Sequence, residues 1–296
     1  MTEYTFVLNP KSGRGAGGKL LNPLRQALDR LHVSYSIMVT GGPGEARELA
    51  RRAPGAVIVA VGGDGTVNEV ANGIVGQDKT LGVIPAGSGN DFIKAIGVPK
   101  KTDKALEILL AGKSRRIDVG TVAFGDSNPP GRYFVNGVGV GLDAAVAKRT
   151  TEITYIGGTA VYLLAILQTM WTYRSPNFER VIDSVSSSSR NLLIAIGNGP
   201  CAGGGFFLTP DAKVDDGLLD LCIVEDVSVS EILRLIPRVM TATHHHAKGI
   251  RLLKARTIVL SSDRQFYVHA DGEIVGNLVN RVEVGLAKEK LNVIVA

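Results

Sequence analysis

The sequence predicts an α/β plus all-β chain: an N-terminal doubly wound α/β nucleotide-binding domain followed by a β-sandwich domain. Three observations carry this. Apolar, β-branched runs alternate with helical patterns from Thr5 to Leu110, the signature of a parallel sheet covered on both faces. Beyond Val122 the pattern changes to short β-like runs punctuated by Gly, Pro and Asp, the texture of antiparallel structure. A glycine excess, 36 of 296 residues, is clustered in loops that follow the early strands.

Taken in order, Thr5–Leu8 is a short apolar strand, and Lys19–Leu31 follows with Leu20, Leu21, Leu24, Leu28 and Leu31 at helical spacing. A strand over Tyr35–Val39, a helix over Glu45–Arg52 and a buried strand over Ala56–Val61 come next. A helix over Thr66–Ile74, a strand over Leu81–Ile84 and a helix over Asp103–Leu110 complete the series. In such a unit ligands bind beyond the carboxyl ends of the strands. Gly125–Arg132, with Pro129 and Pro130, is a loop, and the domains are expected over 1–123 and 124–296. The second domain shows β runs at Tyr133–Val138, Asn191–Ile196, Leu218–Val224, Thr257–Ser261, Gln265–His269, Arg281–Leu286 and Leu291–Val295. The last of these has room to return to the first domain. Ser184–Ser189 reads as a mobile turn, and no internal repeat is visible.

Ile153–Tyr173 carries no formal charge and approaches the ~20 residues that span a bilayer. Its stripe of Ile156, Ala160, Leu163, Leu164, Leu167, Met170 and Trp171, interrupted by Thr and Gly, favours a helix packed on the β domain over an interfacial helix or a span. Cys201 and Cys222 make no disulfide framework or metal motif, which points to a reducing compartment. The N-terminus lacks a basic, apolar leader. A net charge of +5 suits a nucleotide or an anionic membrane surface, and without a basic-aromatic motif it does not argue for nucleic acid. The expectation is a cytoplasmic protein.

Asn9-Pro10-Lys11-Ser12-Gly13-Arg14-Gly15-Ala16-Gly17-Gly18-Lys19-Leu20 follows the first strand. Gly13, Gly15 and Gly18 give a formal GxGxxG, but Val39-Thr40-Gly41 puts no acid at the end of the second strand, so the dinucleotide reading fails. Leu20 stands where a P-loop needs a hydroxyl for Mg²⁺, so that reading fails too. What survives is a loop whose N–H groups cradle phosphate, or a plain glycine cluster. Gly62-Gly63-Asp64-Gly65-Thr66-Val67-Asn68 is sharper. Three glycines let the backbone approach a ligand, Thr66, Val67 and Asn68 open a helix toward phosphate, and Asp64 holds a Mg²⁺ shell or orders the turn. Pro85-Ala86-Gly87-Ser88-Gly89-Asn90-Asp91-Phe92 follows the next strand in the same manner. Three such loops are expected to converge at one edge of the sheet.

GGDGTVNEVANGI at 62–74, IPAGSGNDF at 84–92 and NPKSG at 9–13 together resemble the bacterial diacylglycerol kinase/lipid kinase family, with later motifs at Thr209–Leu219 and His269–Glu273. The resemblance covers nearly the whole chain. It implies ATP in the cleft between the two domains, contacted by Asn9, Pro10, Lys11, Ser12, Gly13, Thr40, Gly62, Gly63, Asp64, Gly65, Thr66, Val67, Asn68 and Ser88. It implies a structural Mg²⁺ on Asp216 with backbone oxygens of Lys213 and Leu218. It places the catalytic carboxylate on Glu273, with Asp271 beside it. Ser88 departs from the family's common Thr and keeps the hydroxyl.

In Asp271-Gly272-Glu273 the glycine permits a sharp turn, so both acids are expected to face the cleft, with Glu273 as general base and Asp64 and Asp271 on a catalytic Mg²⁺. An ordinary hairpin turn is the plain alternative. His244, His245 and His246 read as a solvated loop or helix end, since consecutive residues do not face one ion. Arg234, Arg238, Lys248, Arg251, Lys254 and Arg256, interleaved with Leu and Ile, make either an anionic-lipid docking face or a solvated basic surface. The expected activity is transfer of the ATP γ-phosphate to a lipid hydroxyl, foremost diacylglycerol, by an enzyme peripheral to the inner membrane face. Another lipid or NAD as acceptor, and a non-catalytic regulator, are the alternatives; a homodimer stays open.

Overall fold

The computed structural model describes residues 3–125, 131–153 and 159–296. The chain runs β1 (Tyr4–Leu8), α1 (Ser12–Arg30), β2 (Tyr35–Val39), α2 (Glu45–Arg52), β3 (Val57–Gly62), α3 (Asp64–Ile74), β4 (Thr80–Pro85), α4 (Phe92–Ala95), α5 (Thr102–Ala111) and β5 (Ser114–Ile117). It continues through β6 (Gly120–Ala123), β7 (Arg132–Phe134), β8 (Gly137–Gly141), α6 (Leu142–Thr150), α7 (Thr159–Thr169), β9 (Asn177–Ile182), β10 (Val185–Gly197) and β11 (Leu219–Glu225). The last elements are α8 (Val229–Met240), β12 (Ile250–Ala255), β13 (Thr257–Ala270), β14 (Glu273–Leu286) and β15 (Leu291–Ile294). Two compact units result, one of Met1–Asp118 with Lys288–Ala296 and one of Val119–Ala287.

In the first unit the strands lie in the order β2-β1-β3-β4-β15-β5. All pairs are parallel except β15 with β5, so the sheet is mixed at one edge. Every residue of β1 and β3 is buried, as strands covered on both faces require. Because β2 lies on one side of β1 and β3 on the other, the winding reverses there. The loops leaving β1 and β3 thus flank the topological switch point, where this fold class takes its ligand.

The second unit is antiparallel. The first half of β10 pairs with β9 and its second half with β8 and β11. In the same way β13 pairs with β9 early and with β8 late. Long strands passing between layers close a β-sandwich around Phe134, Phe178, Phe266, Ile194 and Val268. Phe178 and Phe266 meet edge to face at 5.1 Å. A second apolar cluster, with Leu142, Val146, Ala165, Phe206, Val224 and Ile232, lies under α6, α7 and α8.

Several expectations are corrected. Val185–Ser189 is strand, not a mobile turn. Ser187, Ser189 and Asn191 share one face of β10 and accept hydrogen bonds from the buried Arg180 guanidinium of β9, so a polar run satisfies an interior charge. The run Tyr133–Val138 is broken into β7 and β8, because the N–H groups of Val135 and Asn136 point to a carboxylate instead of a ladder. Thr257–His269 is one bulged strand. Within 153–173 the helix is Thr159–Thr169, packed on the second apolar cluster through Tyr162 and Ile166. Leu167 and Trp171, read as stripe residues, are exposed, and Ile156 lies outside the described residues. No helix among the described residues is long and apolar enough to cross a membrane. His244 is fully buried against the Leu208 carbonyl rather than solvated, and His245 pairs with Asp211.

Candidate active site

The first unit brings three loops together at the switch point. Asn9, just past β1, donates through Nδ2 to Thr66 Oγ1 at 3.1 Å, and its Oδ1 accepts from the Lys11 amide at 3.0 Å. The Ser12 hydroxyl donates to the Asn9 carbonyl at 2.9 Å. Gly13 adopts a φ of +54°, and a Cβ there would lie 2.2 Å from the Ala86 carbonyl oxygen of the third loop. Gly63 and Gly87 touch backbone to backbone, since a Cβ on Gly87 would lie 2.3 Å from the Gly63 Cα. Only glycine lets these loops close to this distance.

Asp64 opens α3, two residues earlier than expected. Its Oδ1 accepts from the Asp91 and Phe92 amides at 2.7 and 3.1 Å. It therefore ties the second loop to the third. Asn90 clamps the third loop on itself, bonding the Gly87 amide at 3.0 Å and the Gly87 carbonyl at 2.7 Å. Ser88 stands exposed at its tip. Thr40 is buried at the end of β2, its amide on the Leu8 carbonyl at 2.9 Å. Lys11 reaches Gly41 from the neighbouring loop. Gly62, Gly63, Asp64 and Gly65 present the N-terminus of α3, whereas the side chains of Thr66, Val67 and Asn68 are buried and support it from beneath. The arrangement offers backbone N–H groups, a helix N-terminus and the exposed Lys11 and Arg14 to an anion.

In the second unit Asp271 and Gly272 form the two-residue turn of the β13–β14 hairpin, both with positive φ. The Asp271 carboxylate is buried and accepts the amides of Val135, Asn136 and Gly137 at 2.8–2.9 Å. Glu273 begins β14 and pairs with Arg132 Nη2. The two acids thus hold different partners. Asp271 organises the backbone between β7 and β8.

At the place where a structural Mg²⁺ was expected, the Asp216 carboxylate has two protein partners. Asp216 Oδ1 accepts from the Leu218 amide at 3.1 Å, and Oδ2 meets the Lys254 ammonium at 2.8 Å. Lys254 also lies 3.2 Å from Asp220, and Lys213 is exposed. The Lys254 ammonium thus bridges the carboxylates of Asp216 and Asp220. Among the described residues no group of three His, Cys, Asp or Glu side chains is placed to hold a metal.

Sequence reasoning missed Asp143, at the first turn of α6. His269 Nε2 lies 3.0 Å from Asp143 Oδ2. Burial would lower the His269 pKa, but the charge and hydrogen bond of Asp143, with the charge of Asp271, raise it. Asp143 also lines an apolar, solvent-connected cavity of about 90 Å³ between α6, α7, α8 and the sheet, with Tyr162, Ile166, Phe206, Ile232 and Ile236. Among the described residues lining it, Asp143 carries the only charge. An apolar lining of this kind suits hydrocarbon. No motif marked Asp143; only the His-Ala-Asp-Gly-Glu segment hinted at its partner.

Residues 3–122 match the family model for the diacylglycerol kinase catalytic domain. Residues 136–295 match that for the YegS C-terminal NAD kinase beta sandwich-like domain. The chain belongs to the diacylglycerol kinase/lipid kinase family. Within that family it is 30% identical to diacylglycerol kinase of Bacillus subtilis (strain 168), over 98% of each chain. A crystal structure of a diacylglycerol kinase from Bacillus anthracis covers 100% of this chain and 97% of its own, with a TM-score of 0.72 at 22% identity, a likeness of fold. An NAD kinase from Archaeoglobus fulgidus in complex with ATP shares the fold more distantly, with a TM-score of 0.55 at 14% identity over 99% and 93% of the two chains. In this lipid kinase family member the matched catalytic-domain residues include all three convergent loops.

Proposed function

We propose that this kinase transfers the γ-phosphate of ATP to the free hydroxyl of diacylglycerol, forming phosphatidic acid and ADP. The observation that carries the lipid acceptor is the apolar lining of the solvent-connected cavity in the second unit, which suits acyl chains and offers a dinucleotide little to bind. In this reading the loops at Asn9–Gly13, Gly62–Gly65 and Ser88 cradle the phosphates, while Thr40 and the first turn of α3 back them. Phosphoryl transfer demands mainly positioning and charge neutralisation. A divalent cation arriving with ATP supplies part of that neutralisation, and Asp64 is the carboxylate proposed beside it. Lys11 and the N-terminus of α3 supply the remainder.

Glu273 is the proposed general base. Its exchange of Arg132 for the acceptor hydroxyl lets it take the hydroxyl proton as the oxygen–phosphorus bond forms, and the bond to the β-phosphate oxygen breaks to release ADP. Asp271 fixes the turn that presents Glu273 and so positions it. Exposed Leu167 and Trp171 lie on or just past α7, and exposed Leu233 lies on α8 next to Arg234 and near Arg238 in sequence. They support a peripheral contact with an anionic, cytoplasmic membrane face. The test is phosphate transfer from labelled ATP with diacylglycerol, other hydroxyl lipids and NAD side by side. Labelled phosphatidic acid alone is expected; labelled NADP alone would replace this reading with the soluble-acceptor one.

A further inference from the structure

Gly139 of β8 has no positive φ that would demand a glycine. It is needed for space instead. A Cβ there would lie 2.1 Å from Asp143 Oδ2 and 2.2 Å from His269 Nε2, so the 3.0 Å hydrogen bond between those atoms lies over the Gly139 backbone. A carboxylate only accepts, so Nε2 carries a hydrogen in the neutral ring as in the charged one. The bond therefore does not depend on the charge of the ring. His269 stands two residues before the turn that presents Glu273. The β13–β14 ladder changes register between Phe266 and Val268 and again between Val268 and His269. Beyond these shifts two pairs remain before the turn, His269 with Ile274 and Ala270 with Glu273. Bulges of this kind bend a strand and re-aim its side chains, so the hairpin end needs anchors besides its own ladder. Val268 and Ala270 belong to the sandwich core, and His269 between them faces the other way, to α6. That helix lines the apolar cavity with Leu142, Asp143 and Val146.

We infer that the Asp143–His269 hydrogen bond, seated on Gly139, positions Glu273 by tying the hairpin end that presents it to the helix that bounds the apolar cavity. The inference rests on the reading of Glu273 as general base and adds a positioning residue to it. His269 acts through Glu273 and takes no proton from the acceptor. Misplacing a reacting group by about 1 Å costs on the order of 100-fold in rate, so a bond that fixes the hairpin end bears on turnover more than on nucleotide binding.

The test uses the full-length enzyme with ATP and dioctanoylglycerol. Gly139→Ala and His269→Leu part the pair in independent ways, while His269→Gln keeps an N–H donor for Asp143. The first two are expected to lower kcat by at least about tenfold with the KM for ATP within about twofold of wild type. His269→Gln is expected to recover kcat to within about threefold of wild type. Made in a Glu273→Gln background, Gly139→Ala and His269→Leu should cost less than about twofold, because a residue acting through Glu273 then has nothing left to position. Folded variants with unchanged kcat would overturn the inference. An equal loss in both backgrounds would also overturn it, as the mark of a merely structural role. If the wild type phosphorylates no lipid, or Glu273→Gln is as active as the wild type, the general-base reading fails separately. The carbon-13 carboxylate resonance of Glu273 in glutamate-labelled protein, assigned by its loss in Glu273→Gln, then decides. A resonance shifted in Gly139→Ala and His269→Leu and restored in His269→Gln supports the positioning, and one that does not move refutes it.

Discussion

Asn9 Nδ2 donates to Thr66 Oγ1 at 3.1 Å, joining the loop after β1 to the first turn of α3 across the switch point of the first sheet. The same asparagine holds the Lys11 amide and the Ser12 hydroxyl, so one residue sets the shape of two segments proposed to face phosphate. Asn9→Ala is expected to raise the KM for ATP by about 10-fold or more, the scale of a lost positioning contact. The acceptor KM should stay near the wild-type value. Steady-state kinetics with each substrate varied checks this, and an unchanged KM for ATP would remove Asn9 from the nucleotide site.

The Asp271 carboxylate gathers three amides at the break between β7 and β8. Asp271→Asn keeps the shape but turns an amide N–H₂ toward donors, leaving buried N–H groups unsatisfied. The expected cost is about 2 kcal/mol or more in urea unfolding. A loss below about 0.5 kcal/mol would mean the carboxylate is not organising that turn.

Lys254 supplies the positive charge at Asp216 and Asp220. Thermal unfolding of the wild type, without nucleotide, is therefore expected to be unchanged by EDTA or by millimolar Mg²⁺. Lys254→Ala exposes the two carboxylates to each other, lowers Tm, and recovers part of the loss when Mg²⁺ is added. A wild-type Tm that falls on EDTA treatment would restore the metal to this site.

Two buried histidines bend the pH dependence of stability in opposite directions. Burial pushes the His244 pKa down, so the folded state binds fewer protons than the unfolded one and stability is lost as pH falls below about 6.5. For His269 burial also acts downward but is outweighed by Asp143 and Asp271, and its pKa is raised. Its contribution is present below about 6.5 and is lost as pH rises through the folded-state value. Urea denaturation across this range should show His269→Gln flattening the alkaline limb and His244→Asn the acid limb. Limbs that both persist in the variants would assign the pH dependence elsewhere.

The first unit was legible because its chemistry is local. Val57–Val61 and Leu81–Ile84 are continuous apolar strands ending in glycine loops, and period and punctuation alone announce them. The second unit resists because its decisive contacts are distant in sequence. β9 alternates Phe178 and Arg180 inward, and a buried arginine has no apolar signature. Asp143 sits 126 residues from His269, in a Gly-Leu-Asp-Ala segment indistinguishable from any helix start. The turn at Asp271 was visible, but not that its carboxylate faces amides while Glu273 faces Arg132. The serine run of β10 looked like a turn because nothing local reveals the guanidinium that it satisfies.

The central claim is that Glu273 receives the proton of a lipid hydroxyl while ATP is held on the Asp64 side of the enzyme. Transfer of labelled phosphate from ATP to diacylglycerol in mixed micelles tests it most directly, with wild type, Glu273→Gln and Asp64→Asn compared at equal ATP occupancy. Labelled phosphatidic acid from the wild type, reduced at least ~100-fold in each variant, is the predicted result. Near-normal transfer by Glu273→Gln, or no lipid labelled by an ATP-bound wild type, would contradict it.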